Sequence, residues 1–400
     1  MVKVKIFPAS YGDCFLLSIN DKEKHINILI DGGFNETYYN YLKNEMLKLK
    51  EKQEKLDIVI NTHIDSDHIK GLICFLKDNI EENFIEIGDF WFNGLEQIVF
   101  DYKPLEEKIR DKDKKIIEDI ITKGYEEDFQ TTQKISLKES ISLSGLLEYG
   151  KYNHNKINNS KAITDSLEKI KISENIAIKI IAPNEINLNI LKEKWLEELE
   201  AKDFHFTFPK NEKFSEAFEY LISRLKFYQR NSIEISSAQN IEFYLNDLKE
   251  EDTSVVNSTS IAFVLEYYDK KFLFLGDSII KEKNYCQIIK NLEKEYKDNL
   301  DFELIKLPHH GSKYNISKDF ISLVNSKEYI ISTNSKKFNH PDIDVLANLI
   351  LKKGYKTFIF NYEIKQALFI KKEEWEKEYE YDIVIGNGNE ILERRYNYEL

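Results

Sequence analysis

Cysteine is almost absent from this 400-residue chain: Cys14, Cys74 and Cys286 are widely spaced and odd in number. No disulfide framework and no cysteine-based zinc site follows from them, and a reducing compartment is the expected setting. Long apolar runs are missing too. No stretch approaches the roughly 20 apolar residues that a membrane-spanning helix needs. Met1–Phe7 (MVKVKIF) alternates like a strand and lacks the apolar centre of a secretion signal. We therefore expect a cytoplasmic protein with no membrane partner. No internal repeat stands out, and no block of one charge is long enough to be a tail. The net charge of −13 argues against coating nucleic acid by charge alone. It leaves room for a nucleic-acid enzyme whose attraction comes from metal ions and a local basic patch. Lys48–Lys55 and Lys151–Lys161 are the candidate patches, and the simpler reading of both is a solvated surface.

What is present is a large core. Hydrophobic residues make up 42% of the chain and aromatics 13%, enough for one α/β enzyme with insertions. Val2–Phe7, Cys14–Asn20 and His25–Asp31 are short apolar runs ended by turn residues, which predicts strands. Tyr38–Leu56 has helical spacing, Leu56–Asn61 (LDIVIN) reads as a strand buried on both faces, and Ile69–Leu76 as a helix. Phe84–Val99 holds strand-like pieces, Pro104–Tyr125 is a charged amphipathic helix, and Lys134–Leu143 alternates weakly. Ile176–Ala182 (IAIKIIA) is a strand ending at Pro183. Leu188–Leu199 and Phe214–Tyr228 carry helical patterns with almost no glycine or proline, which predicts a helical insertion. Thr259–Tyr267 and Lys271–Gly276 predict a hairpin; strands are expected at Phe302–Leu307, Tyr329–Ser332, Lys356–Asn361 and Ala367–Lys371. Residues 1–184 are expected to form one half of an α/β sandwich, 185–254 the insertion and 255–400 the other half, each terminal portion supplying a sheet.

Four segments carry the chemistry. Thr62–His68 (THIDSDH) puts His63, Asp65, Asp67 and His68 directly after a buried strand. Strand-end loops can aim several side chains at one spot, and open α/β sheets hold ligands there. Imidazole with carboxylate suits Zn²⁺, Mn²⁺ or Fe²⁺. The competing reading is a polar turn in which Asp67 caps a helix starting near Ile69. Phe272–Asp277 (FLFLGD) delivers Asp277 from an apolar strand, either to bridge two metal ions or to cap a helix beginning at Ile279. Leu304–Ser312 (LIKLPHHGS) runs a strand into His309, His310 and a glycine turn. Asn339-His340-Pro341 adds a loop histidine fixed by proline.

Taken in order, Gly12-Asp13, Ile30–Gly33, Thr62–Gly71, Gly276-Asp277, His309–Ser312 and Asn339–Pro341 resemble the motifs of the metallo-β-lactamase superfamily. They look closest to the branch containing the hydrolase domain of the DNA-uptake protein ComEC. The resemblance spans roughly residues 1–92 and 255–400, with a looser fit around Ile176–Pro183. It implies an αββα sandwich with two divalent ions, Zn²⁺ or Mn²⁺, at one edge of the paired sheets. His63 and Asp65 would hold one ion, Asp67 and His68 the other, and Asp277 would bridge them. His309 or His310 would complete the set, His310 being the nearer match. Asp31 would orient the metal loop from behind, with Asp13 close by.

Two departures from the family pattern matter. Asp65 stands where the commonest pattern has histidine. Many members also carry a histidine before the bridging aspartate; here His154 and His205 match nothing, and Asn257 and Ser260 resemble what the ComEC-like branch has there instead. Both departures imply a more oxygen-rich site. The implied activity is phosphodiester hydrolysis, more narrowly cleavage of DNA, by a metal-activated water. Asp67, His309 and His340 are the catalytic candidates, either histidine being placed to protonate a leaving group. Ser312 and Lys313 would contact a substrate phosphate. The alternatives are a hydrolase of small esters or phosphodiesters, and a non-catalytic subunit of a bacterial complex that binds a protein partner through the helical insertion. Free-standing members of this branch occur in phage-defence gene clusters, which is the reason to expect a protein partner.

Overall fold

The computed structural model describes residues 1–21, 24–99, 111–128, 142–202, 212–222, 240–281, 287–297 and 299–398. Two sheets are stacked face to face. The first has the order β14-β1-β2-β3-β4-β5, with β1 Val2–Ile6, β2 Phe15–Asp21, β3 Lys24–Ile30, β4 Leu56–Ile60, β5 Ile87–Trp91 and β14 Leu392–Tyr396. The second has the order β13-β12-β11-β10-β9-β8-β7-β6. Its strands are β6 Ile170–Lys171, β7 Ile176–Ala182, β8 Ala262–Tyr267, β9 Lys270–Phe274, β10 Asp301–Lys306, β11 Asn325–Ile331, β12 Lys356–Phe360 and β13 Tyr381–Ile385.

Alternation along the strands divides the apolar side chains among three layers. Phe15, Leu17 and Ile19 of β2, Phe263 and Leu265 of β8, Phe272 and Phe274 of β9 and Ile330 of β11 fill the space between the sheets. Leu16, Leu29 and Val59 face outward from the first sheet onto helices, among them Ser66–Glu82. Leu273, Leu275, Tyr329 and Ile331 face outward from the second, onto helices that include Ile343–Ile350. The architecture is an αββα sandwich. Among the described residues no helix is long and apolar enough to cross a membrane.

Pairing β3 with β4 in parallel, and β9 with β10, brings the C-terminal ends of these strands to one edge of the sandwich. Backbone bonds stitch the two sheets together there: Ile261 N–H donates to Thr62 O (2.9 Å) and Asn334 N–H to Ser10 O (2.7 Å). The Ser332 hydroxyl donates to Gly12 O at 2.8 Å. Loops of both sheets meet at this edge.

Several expectations change. Ala367–Lys371 is not a strand. Its apolar residues fall in the helix Lys365–Ile370, whose buried Gln366, Ala367 and Ile370 face inward while Leu368 stays 51% exposed. So short an apolar run satisfies both the helical and the strand period, and its own pattern does not decide between them. The terminal portions also do not keep separate sheets: β7 pairs with β8, and β14 crosses over to pair with β1. Strand pairing is non-local and leaves no trace in either strand's own sequence. Phe84–Val99 contains β5 and then a short helix, Leu95–Ile98. Of the run Lys134–Leu143, residues 134–141 lie outside the described residues, as do residues 104–110, 223–228 and His205.

Within 185–254 the described helices are Glu185–Glu200, Glu212–Ile222 and a short 3-10 turn, Ile241–Tyr244. Trp195, Leu199, Phe218 and Ile222 share one apolar cluster with Ile117, Ile120, Leu146 and Leu147, so the two longer helices cap the outer face of the first sheet. Ile241, Tyr244 and Leu248 join the outer cluster of the second sheet instead.

Candidate metal centre

The loop after β4 is held by its neighbours before any function is considered. Asn61 Nδ2 donates to His63 O at 2.6 Å, and Asp31, at the end of β3, accepts from Thr62 N–H at 2.7 Å. Two backbones come too close for any side chain: a Cβ on Gly71 would lie 1.9 Å from Gly32 O, and one on Gly12 1.9 Å from Asp67 O. Asp31, His309, His310 and Asn339 all have positive φ (54°, 44°, 58° and 57°). Each costs about 1–3 kcal/mol, a strain tolerated where the fold requires a side chain at one spot.

That spot is Asp277. Its Oδ2 lies 3.9 Å from Nε2 of His63, 3.5 Å from that of His68, 3.7 Å from that of His309 and 3.8 Å from that of His310. Asp65 Oδ2 is 3.7 Å from His63 Nε2, and Asp67 Oδ2 is 3.9 Å from His68 Nε2. His63, His68 and Asp277 together, and Asp67, His68 and His310 together, place one donor atom each within 4.8 Å of one another. Two ligands on one ion at bonds of about 2.0–2.2 Å would stand some 3–4 Å apart, so the spacing fits a shared ion.

The tautomers support the same conclusion. His68 Nδ1–H donates to Asp31 Oδ2 (2.8 Å), because a carboxylate can only accept. The Thr62 hydroxyl gives its one proton to Asp31 Oδ2 (2.8 Å), so it accepts from His63 Nδ1–H (3.0 Å). Asn315 spends its amide donors on Asp252 Oδ2 (3.0 Å) and Asp277 O (3.1 Å), which leaves its oxygen to accept from His309 Nδ1–H (2.9 Å). Three imidazoles thus spend Nδ1 on a fixed acceptor and turn Nε2 towards a carboxylate. Nε2 of His63, His68 and His310 and Oδ1 of Asp277 are buried without a hydrogen bond. Buried ring nitrogens facing an anion call for positive charge between them, which protons or a divalent ion would supply.

The electrostatics place a demand for positive charge at the same spot. Burial opposes charge on His309, but the carboxylates of Asp277 and Asp252 outweigh it and lift the imidazole to about 9. His68 is raised well above its ordinary range in the same way, against burial, by Asp277 and Asp31. Burial alone would raise Asp277, yet His68, His309 and His310 hold it well below the usual carboxylate value. Asp67 is raised, by burial first and then by Asp65 and Asp277.

The capping readings do not survive. The helix beginning at Ser66 has Asp65 as its N-cap, without a side-chain capping bond, so neither Asp65 nor Asp67 is used as a cap. No helix begins at Ile279 among the described residues. The donor set of imidazoles and carboxylates, with its unbonded buried nitrogens, fits a divalent metal.

The expected residues do not all converge. Asp13 reaches His310 Nδ1 at 3.5 Å, Asn257 Nδ2 comes within 3.4 Å of His309 Nδ1, and Ser260 Oγ accepts from Asp277 N–H at 3.2 Å. His340 is buried, its ring 5.3 Å from that of His309, with Nδ1 3.1 Å from Asp342 Oδ2. Ser312 and Lys313 are buried in other company: Lys313 Nζ lies 3.3 Å from Glu250 and 4.0 Å from Asp344. His154 is remote in role, its Nε2 held by Phe92 O at 2.8 Å. Sequence reasoning missed Lys306, Asp252 and Asn315, and gave Thr62, though inside the motif, no role. Only Lys306 left a signal, as the single charge in the apolar strand-end run LIKLP. It is ion-paired with Asp13 and donates to Gly276 O at 2.9 Å.

No curated protein matches the chain. Residues 9–133 match the model of the metallo-beta-lactamase superfamily, whose members are mostly metal-dependent hydrolases, and that span holds Asp13, Asp31 and the whole loop from Thr62 to His68.

Proposed function

We propose that this chain is a metal-dependent phosphodiesterase, more narrowly a nuclease acting on DNA. The observation that supports it is the convergence of four imidazole Nε2 atoms, 3.5–3.9 Å away, on Asp277 Oδ2. His63, Asp65, Asp67, His68, Asp277 and His310 would hold two divalent ions, Zn²⁺ or Mn²⁺. The chemistry such ions supply when bound is an activated water and neutralisation of the charge growing on phosphoryl oxygens.

The chain's own groups do the rest. Asp31 and Thr62 fix the rings of His68 and His63 before substrate arrives, which removes reorganisation from the reaction. Lys306 and Asp13, both buried, back the carboxylate of Asp277 from beneath. The side chain of His309 is 12% exposed against 1% for His310, so His309 is the more accessible proton donor to a leaving oxygen. His340, against the His309 ring, is the second candidate for that role. The phosphodiester substrate and the ComEC-like affinity rest on the order of the sequence motifs.

The test is elemental analysis of the purified protein with assays on plasmid, oligonucleotide and bis-p-nitrophenyl phosphate under added Mn²⁺ or Zn²⁺. Metal-dependent cleavage of all three is expected. Hydrolysis of carboxylic esters but of no phosphodiester would overturn the substrate; no hydrolysis with any metal would overturn the enzyme.

A further inference from the structure

Beside the imidazoles lies a rim of aromatic rings that the metal centre does not use. Phe338 is 40% exposed, an unusual position for so large an apolar side chain beside a polar site. Its ring lies 6.0 Å from that of His340 and nearly parallel to it (25°), and 6.4 Å from that of His309. Tyr11, from the loop after β1, meets Phe338 edge-on at 5.9 Å and Phe34 at 4.7 Å. Exposed Lys337 holds its ammonium 4.7 Å from the centre of the Tyr11 ring and 4.6 Å from that of Phe338.

The rim is built rigidly. Asn334 bonds Ser10 twice, from its backbone N–H at 2.7 Å and from Nδ2 at 2.8 Å, so the two loops that carry Phe338 and Tyr11 move as one. The Tyr362 hydroxyl accepts from Ser10 N–H at 2.7 Å, and Gln366 Nε2 donates to Asn339 O at 2.6 Å. A ring fixed this way loses little conformational entropy when a second ring stacks on it.

We propose that Phe338, with Tyr11 and Lys337, forms a stacking platform for an unpaired nucleobase, which positions the adjoining phosphodiester over the metal centre. This rests on the phosphodiesterase reading above and narrows its substrate class to single-stranded nucleic acid. A base inside a duplex has both faces covered by its neighbours and cannot offer one to Phe338. Lys337 meets the charge of a flanking phosphate. With a net charge of −13 the chain gains little from non-specific phosphate attraction, and stacking does not depend on that charge.

Fluorescence anisotropy at fixed salt, with chelator present so that no strand is cut, tests it. The probes are fluorescein-labelled single-stranded dT12, an abasic backbone of the same length, and a dT12·dA12 duplex. Stacking by one base is worth about 5- to 100-fold in affinity, so dT12 should bind tighter than the abasic strand by that factor. Phe338→Ala should abolish the difference while leaving abasic binding and the melting temperature unchanged, and Phe338→Tyr should retain it. Equal affinity of wild type for dT12 and the abasic strand overturns the platform. So does a preference for duplex, or full base dependence in Phe338→Ala. If metal-loaded wild type cuts no phosphodiester while base-dependent binding persists, the reaction fails and the platform stands.

Discussion

Lys306 and Asp13 form an ion pair sealed beneath the four imidazoles, each side chain 1% exposed, and the same ammonium lies 3.6 Å from Asp277 Oδ1. Burial disfavours a charged lysine, but Asp13 and Asp277 hold it above its ordinary pKa, and Lys306 helps draw Asp13 down to about 2 against its own burial. Lys306→Met would leave two carboxylates uncompensated. A broken buried pair costs about 3–5 kcal/mol, so the metal-free variant should unfold at clearly lower urea concentration. Asp13→Asn with Lys306→Met should recover part of the loss. A single variant as stable as wild type would show the pair to be structurally idle.

Asp277→Asn preserves shape and removes the charge on which the imidazoles converge. We expect weaker metal retention in equilibrium dialysis and a rate lower by about 10²–10³-fold or more. The metal-free variant should still fold, since the fold rests on the sheets, but melt below wild type, because the buried charges of Lys306 and the imidazoles lose a partner. Full activity in this variant would place the chemistry elsewhere.

If His309 protonates the leaving oxygen, His309→Gln should depend on the leaving group. Cleavage of an alkyl phosphodiester such as DNA should slow by about 10²–10⁴-fold, whereas an ester of p-nitrophenol, which leaves without help, should lose much less. His340→Gln provides the comparison. A leaving-group dependence found in His340→Gln and absent from His309→Gln would assign the proton to His340.

Glu219 supplies a pH test away from the metal. Its carboxylate accepts from Leu143 N–H (2.6 Å) and Ser144 N–H (2.9 Å) at the start of the helix Leu143–Tyr149, and burial raises its pKa to about 7. Below the ordinary glutamate value, about 4.3, folded and unfolded states both carry the proton. Between there and about 7 only the folded state does, so its unfolding becomes easier as pH rises through that window. The loss is on the order of 3 kcal/mol. Glu219→Gln does not titrate, so it should gain on wild type between pH 5 and pH 8 in urea unfolding followed by tryptophan fluorescence. Parallel stability curves would refute it.

The motifs at His63, Asp277 and His309 were legible because each lies just past the end of a buried strand in a parallel pair. LDIVIN into His63 and FLFLG into Asp277 mark the change from a backbone shielded on both faces to one open at the sheet edge. Alternating runs likewise marked most strands. The residues that support the site were not legible. Asp252 and Asn315 are 63 positions apart and meet through one hydrogen bond; Lys306 and Asp13 meet across the two sheets. Ser312 and Lys313 follow the histidine pair in sequence, yet two successive left-handed residues and Gly311 turn the chain there, and both side chains end up buried.

By itself, then, the sequence determined which strands end in ligand-type residues and the layered α/β class, because hydrophobic period and strand-end polarity are local properties of the chain. Which sheet β7 and β14 join, whether Ala367–Lys371 is helix or strand, and that four imidazole Nε2 atoms converge on one aspartate were decided by the tertiary structure alone. Pairing, register and ring orientation depend on partners brought from distant parts of the chain, and no segment carries that information within itself.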